Sequence, residues 1–88
     1  MEAMNEIRRK PKVRIIRMDH VLSLDATGLH AIREQHKNSL KQGIPFIIAG
    51  IHTQPFMAFE QSGLLQSIGE ENIFRGIDDA LNRANQLL

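Results

Sequence analysis

Residues 13–29 read VRIIRMDHVLSLDATGL, and this stretch decides the fold. Its first six residues, VRIIRM, are apolar with two interspersed arginines. That pattern predicts a strand buried on one face and mostly covered on the other. The polar loop that follows ends in Asp25, a residue type that commonly caps the start of a helix. A strand followed by a helix start predicts the first half of a βαβ unit.

A long amphipathic helix and a second strand are predicted next. From residue 26 to residue 42, apolar positions recur at spacings of three and four and form one stripe. The stripe consists of Leu29, Ile32, His36 and Leu40. Gly43 is placed to end the helix in a left-handed conformation. Residues 46–51, FIIAGI, are almost continuously apolar, which is typical of a strand in the middle of a parallel sheet.

The last third of the chain predicts two more helices. Thr53 is expected to cap the first, which Gly63 ends, with Phe56, Phe59 and Met57 as its inward-facing candidates. Residues 71–74, ENIF, predict a short edge strand or an extended connector. Apolar residues then recur at helical spacing from residue 76 or 77 to the C-terminus. The chain therefore predicts a small α/β domain.

Length, charge and composition exclude several classes of protein. A chain of 88 residues supports one core and no second domain. The net charge of +1 is too small for the basic stripe that binds nucleic acid. Cysteine is absent, which excludes disulfides and thiolate metal sites. No apolar run approaches the ~20 residues that span a bilayer, so we expect a soluble chain that does not insert into a membrane.

The polar residues that open the long helix form the candidate site. In open α/β sheets, ligands and partners meet the carboxyl ends of the strands, where this loop lies. Thr27 falls in the first helical turn, so we predict an accessible hydroxyl that serves as a phosphoacceptor or anion contact. The alternative, and the more frequent role for such residues, is that Asp25 and Thr27 only cap the helix. The expected partner-docking surface consists of Asp25, Thr27, Gly28, His30 and Arg33.

A small hydrolase is the competing enzymatic interpretation. It requires Ser23 to meet a histidine, His20 or His52, and an acid, Asp19 or Asp25. The sequence lacks the nucleophile-elbow pattern that makes such a triad credible, so we predict no catalytic residues. The four histidines lack paired metal-ligand spacing, and no phosphate-binding loop motif is present. Neither a metal nor a cofactor is therefore predicted.

Three stretches occur in a characteristic order. They are VRIIRMDHVLSLDATGLHAI (13–32), GIPFIIAGIHTQPFMAFEQSGLLQSIGEENIF (43–74) and DDALNRA (78–84). Together they resemble the STAS domain, in particular the cytoplasmic C-terminal STAS domain of bacterial SulP-type anion transporters. The resemblance covers residues 12–88, and DATGL (25–29) and IGEENIF (68–74) are among its most specific parts.

This resemblance implies an anti-sigma-factor-antagonist-like fold, with a small, mostly parallel sheet flanked by helices. It implies a non-catalytic regulatory and protein-interaction domain of a sulfate or anion transporter at the cytoplasmic face of the inner membrane. The implied partners are the transmembrane domain of the parent transporter and cytoplasmic regulatory proteins. Related anti-sigma-factor antagonists are phosphorylated at the Ser or Thr of a D-x-[ST]-G turn, which Thr27 matches. A free-standing antagonist switched by phosphorylation at Thr27 is therefore the alternative function.

The resemblance also bears on where the domain begins. Members of the family normally start with one or two further strands, which are not evident in residues 1–12. We therefore expect residues 1–12 to be a basic tail or the end of a helix, and residues 13–88 to form a STAS domain shortened at its N-terminus. The strand at residues 13–18 would then keep an unpaired edge, which invites another chain to complete the sheet. The sequence thus predicts a homodimer.

Overall fold

Three parallel strands form the centre of the domain in the computed structural model, which describes residues 11–88. The strands are β1 (Arg14–Arg17), β2 (Phe46–Ala49) and β3 (Ile73–Phe74), in the order β1-β2-β3. Ile15 pairs with Ile47, and Ile48 pairs with Ile73. Every residue of β2 is buried, which confirms the central strand predicted from FIIAGI, although the strand ends at Ala49. The expectation for residues 1–10 lies outside the described residues.

Four α-helices connect and cover the described strands. They are α1 (Ala26–Gln42), α2 (Thr53–Ser62), α3 (Leu64–Ile68) and α4 (Ile77–Gln86). The Asp25 carboxylate accepts a hydrogen bond from the Gly28 amide at 2.9 Å, which confirms Asp25 as the N-cap of α1. Gly43 ends α1 with φ 71°, in the left-handed region that favours glycine. Both ends of the longest helix therefore follow the local signals of the sequence.

Helices α1, α2 and α3 share one face of the sheet with the larger core. Successive strand residues point to opposite faces, so Phe46 and Ile48 of β2 both point toward these helices. They pack with Ile32 of α1 and Phe59 of α2. The buried members of the cluster are Met18, Ile32, Phe46, Ile48, Ile51, Phe59, Leu64, Leu65 and Ile68. Packing in this core sets where α1 and α2 begin relative to the ends of the strands.

The opposite face of the sheet packs against α4. Ile47 and Ala49 of β2 meet Ala80 and Ala84 of α4 in a second buried cluster. The alanines leave little side-chain volume between helix and sheet, so α4 lies close to β2. Ile15 of β1 and Val13, which precedes β1, are only partly buried on this face.

Several sequence-based details are wrong or need refinement. Leu40, predicted in the buried stripe of α1, is 66% exposed, and Ser39 is buried in its place. Ser39 faces β1, where its Oγ accepts a hydrogen bond from Arg14 at 2.7 Å, and Leu40 therefore points to solvent. Met57 is exposed instead of facing inward. ENIF is part 3₁₀ turn, Glu70–Asn72, and part strand.

His36 lies in the buried stripe of α1, as predicted. Its ring packs against Phe46 with 5.3 Å between the ring centroids. Burial lowers the pKa of His36 from its usual 6.5. The charged side chains among the described residues that line the same cleft between α1 and α3 are the cations Arg33 and Lys37, so no described carboxylate in this cleft stabilises a protonated ring.

Acidification is expected to destabilise the fold through His36. The unfolded chain takes up a proton near the usual pKa of 6.5, whereas the folded protein does so only at lower pH. The stabilisation from neutral His36 is therefore complete above the usual pKa of 6.5, and it is lost as the pH falls through the lower pKa of the folded protein. Melting temperatures from pH 7.5 to pH 5 measure this effect. His36→Gln should flatten the dependence of the melting temperature on pH, whereas His30→Gln, at an exposed position of the same helix, should leave it unchanged. The same pH dependence in the wild type and both variants would contradict the role of His36.

Candidate docking site

The loops at the carboxyl ends of β1 and β2 are joined by hydrogen bonds. His52 Nε2 lies 2.8 Å from the backbone oxygen of Asp19. Because a carbonyl only accepts, His52 donates this bond and carries its proton on Nε2. Gln54 pairs with both backbone groups of Leu24, accepting from its N–H at 2.7 Å and donating to its C=O at 3.3 Å. These contacts hold the loop before α1 against the start of α2.

Thr27 is the exposed second residue of α1 at this edge. The neighbouring capping bond joins Asp25 to the Gly28 amide, so the cap forms without the Thr27 hydroxyl. The Leu24 side chain packs closely beneath Gly28, because a Cβ at Gly28 would approach Leu24 Cδ1 to 2.7 Å. The first turn of α1 therefore packs on Leu24 on its inner side, while Thr27 on its outer side stays exposed.

The predicted docking residues divide into two groups. Asp25, Thr27 and His30 are exposed, and Thr27 and His30 are three residues apart on neighbouring turns of one helix surface. Arg33 is half-buried and donates to the Ser62 backbone oxygen at 3.1 Å, so it also ties α1 to the end of α2. The structure thus places Asp25, Thr27 and His30 on the open surface and Arg33 at its margin.

A charged cluster follows β1 at the same edge. The Arg17 guanidinium makes two contacts to the Asp19 carboxylate, at 3.3 Å and 3.2 Å. A hydrogen bond from the backbone of Asp19 itself, followed by the contact with Arg17, holds the pKa of the Asp19 carboxyl below its usual value against an opposing effect of desolvation. His20 Nε2 lies 3.5 Å from the same carboxylate. Asp19 therefore stays ionised at neutral pH.

Arg75 is a feature of this edge that the sequence analysis missed. It follows β3, lies over the Phe56 ring at 5.6 Å from its centroid and donates to Thr53 Oγ1 at 3.4 Å. Its position directly after the third strand is the signal that identifies it, because the carboxyl ends of parallel strands share one edge. The short length of β3 obscured that signal in the sequence.

The hydrolase constellation does not assemble in the described part of the chain. Asp19 contacts His20 and His52, but Ser23 is exposed and has no hydrogen bond to either histidine within residues 11–88. The same residues contain no group of three or more metal-ligating side chains. The described helices include none that is long and apolar enough to cross a membrane.

These features define a small α/β domain with an exposed polar surface at the strand ends. Residues 1–80 match the STAS domain, and the chain belongs to that family. A solved sulfate transporter family protein from Wolinella succinogenes is 35% identical, with TM-score 0.87, over 98% of this chain and 70% of that one. The solved SulP transporter STAS domain from Vibrio cholerae is 26% identical, with TM-score 0.84, over 97% of this chain and 66% of that one.

The chain is also similar to a much longer curated protein. It is 36% identical over 67 residues to Sulfate transporter 1.1 of Arabidopsis thaliana. That alignment spans 76% of this chain and 10% of the plant protein. The match therefore covers only a small part of the plant protein.

Proposed function

We propose that this STAS domain is a non-catalytic regulatory and protein-interaction domain of a SulP-type sulfate transporter, at the cytoplasmic face of the inner membrane. Its similarity to solved sulfate transporter family and SulP STAS structures supports a sulfate transporter as the parent protein. The exposed start of α1 supports the interaction role and is the observation that carries it. Asp25, Thr27 and His30 present acceptors and donors there on a firmly packed scaffold.

Regulation through such a surface requires a difference in contacts between two states of the transporter. A domain shifts an equilibrium only by the difference between its binding free energies to the two states. The start of α1 suits this role because hydrogen bonds hold its backbone: Gln54 bonds both backbone groups of Leu24, and the Asp25 carboxylate accepts from the Gly28 amide. We propose that the transmembrane domain and cytoplasmic regulatory proteins dock here.

Thr27→Glu is expected to weaken this docking by about tenfold without unfolding the domain, since an unpaired interfacial charge costs on the order of 1–2 kcal/mol. A carboxylate in the first turn interacts favourably with the helix dipole, so the fold itself is not penalised. Site-specific cross-linking and sulfate uptake in the full-length transporter measure the effect. Asn82→Glu adds the same charge to an exposed position of α4, on the other face of the sheet, and serves as the control. Unchanged cross-linking and uptake for both Thr27→Glu and Arg33→Glu would refute the proposed surface.

The alternative function, a free-standing antagonist switched by phosphorylation, is favoured by one observation. The Thr27 side chain is exposed, and the capping bond of α1 does not use it. A phosphate on Thr27 would lie beside the free amides of the first turn and next to the Asp25 carboxylate. Intact-mass analysis of protein from its native host distinguishes the two functions, because only the antagonist requires a phosphorylated population.

A further inference from the structure

A cleft of about 320 Å³ lies between α1 and α3, on the sheet face that carries the larger core. Its lining residues are Arg33, His36, Lys37 and Leu40 of α1, and Leu64 and Ser67 of α3. Clefts of about this volume accommodate small organic molecules in proteins. Of the predicted docking residues, only Arg33 borders this cleft.

His36 lacks a hydrogen-bond partner in the described part of the chain. The residue is only 6% exposed, and its ring packs against Phe46 without a hydrogen bond to any group within residues 11–88. Those residues contain no fully buried side-chain nitrogen without a partner, so the ring nitrogens of His36 reach the open space of the cleft. Buried polar side chains normally form hydrogen bonds, because leaving them unpaired costs free energy. A molecule in the cleft is placed to supply this bond.

Two cations border the same space. Arg33 is half-buried, and one nitrogen of its guanidinium donates to the Ser62 backbone oxygen at 3.1 Å. A guanidinium has five N–H donors, so most of them remain for a ligand. Lys37 Nζ lies 3.5 Å from Glu34 Oε2, but both side chains are exposed, and such surface ion pairs are weak. The cleft therefore favours an anionic group.

The elements packed around His36 add no opposing charge. Arg33 and Lys37 are the charged residues of α1 that line the cleft, and neither α3 nor β2 contains a charged residue. A neutral imidazole offers one N–H donor and one acceptor. An anion beside the ring would accept from the N–H and would also favour protonation of the other nitrogen. Anion binding and proton uptake by His36 are therefore expected to reinforce each other.

Two leucines give the cleft an apolar part. Leu64 is fully buried, whereas Leu40 is 66% exposed. Covering an exposed leucine with an apolar group removes hydrocarbon surface from water and is favourable. An inorganic anion would leave Leu40 in water. A ligand that satisfies the whole cleft combines an anionic group with an apolar body.

We propose that the cleft between α1 and α3 binds a small organic anion. Its charged group contacts Arg33, Lys37 and the ring of His36, and its apolar body covers Leu40 and Leu64. The proposal does not rest on the regulatory function proposed above, because Thr27 takes no part in the cleft and binding is measured on the 88-residue protein alone.

Nuclear magnetic resonance titration with phenyl sulfate tests the binding. Phenyl sulfate carries an anionic group on an apolar ring and stays ionised near neutral pH. We expect saturable shifts of the His36 ring signals and the Ser67 amide, with little change at the exposed ring of His30. Phenol lacks the anionic group and inorganic sulfate lacks the apolar body, so each should bind about tenfold more weakly.

A pair of lysine variants tests the position of the anionic group. Lys37→Gln should weaken phenyl sulfate binding by about threefold, because one cation of the cleft is lost. Lys41→Gln removes the same charge about one helical turn away, where the side chain lines a different groove beside Arg14, and should leave binding unchanged. Equal losses in the two variants would overturn the proposal.

The pH dependence tests the contact with His36. Binding should tighten as the pH falls from 7.5 to 6, and phenyl sulfate should shift the titration midpoint of the wild-type His36 ring upward. His36→Gln should remove the pH dependence of binding, and the ring titration of the wild type supplies the same test if this variant unfolds. An unchanged midpoint, undisturbed His36 signals, or phenol binding as tight as that of phenyl sulfate would overturn the proposal.

Discussion

Phe59→Ala is expected to lower the free energy of unfolding by about 3–5 kcal/mol, the largest effect of any single substitution considered for this domain. Phe59 is 0% exposed and packs among the core side chains of the sheet face that carries α1, α2 and α3. Removing its ring leaves a cavity that the surrounding strands and helices cannot close. Because small domains are only marginally stable, a large fraction of the variant should be unfolded at physiological temperature.

Met57→Ala provides the matched control on the same helix. Met57 is 48% exposed and lies two residues from Phe59 on a different side of α2. Its truncation should cost less than about 1 kcal/mol, since little buried area is lost. Urea denaturation followed by circular dichroism compares the two variants with the wild type. Similar losses for both would mean that α2 does not bury Phe59 as described.

Gly50→Ala is expected to have the second largest effect. Gly50 follows β2 with φ 76°, a left-handed conformation that costs a residue with a side chain about 1–2 kcal/mol. A Cβ at this position would also lie 3.1 Å from Asp19 Cβ and 3.2 Å from Ile77 Cδ1. Relieving these contacts moves either the loop after β1 or the start of α4, and such overpacking costs about 1–3 kcal/mol more.

Gly43→Ala separates the two contributions. Gly43 has a similar φ of 71°, but a Cβ there would meet nothing within 4 Å. Gly43→Ala should therefore lose stability only through the unfavourable left-handed φ, whereas Gly50→Ala should lose stability through both the φ and the close contacts of the new Cβ. The difference in unfolding free energy between the two variants measures the close approach of Gly50 to Asp19 and Ile77. Equal destabilisation would show that the neighbours yield freely.

The candidate site was predictable where its residues are close in sequence. Asp25 caps α1 through a bond to Gly28, three residues away, so the DATG segment contains both partners. The accessible Thr27 follows from the same segment. Arg75 was missed because its partners, Phe56 and Thr53, are distant in sequence and meet it only when β3 pairs beside β2. The tie between Arg33 and Ser62 likewise depends on how α1 packs against the end of α2.

The sequence by itself determined the order of the three strands and of helices α1, α2 and α4, the ends of α1 and the STAS family; the short helix α3 was not predicted. These properties depend on hydrophobic periodicity, on caps that act within one helical turn and on ordered motifs, all of which are read along the chain. Only the tertiary structure decided that Ser39 is buried instead of Leu40, and that Arg14 and Lys41 line one groove. Those outcomes depend on how closely β1 approaches α1, which joins residues more than twenty positions apart and leaves no local pattern.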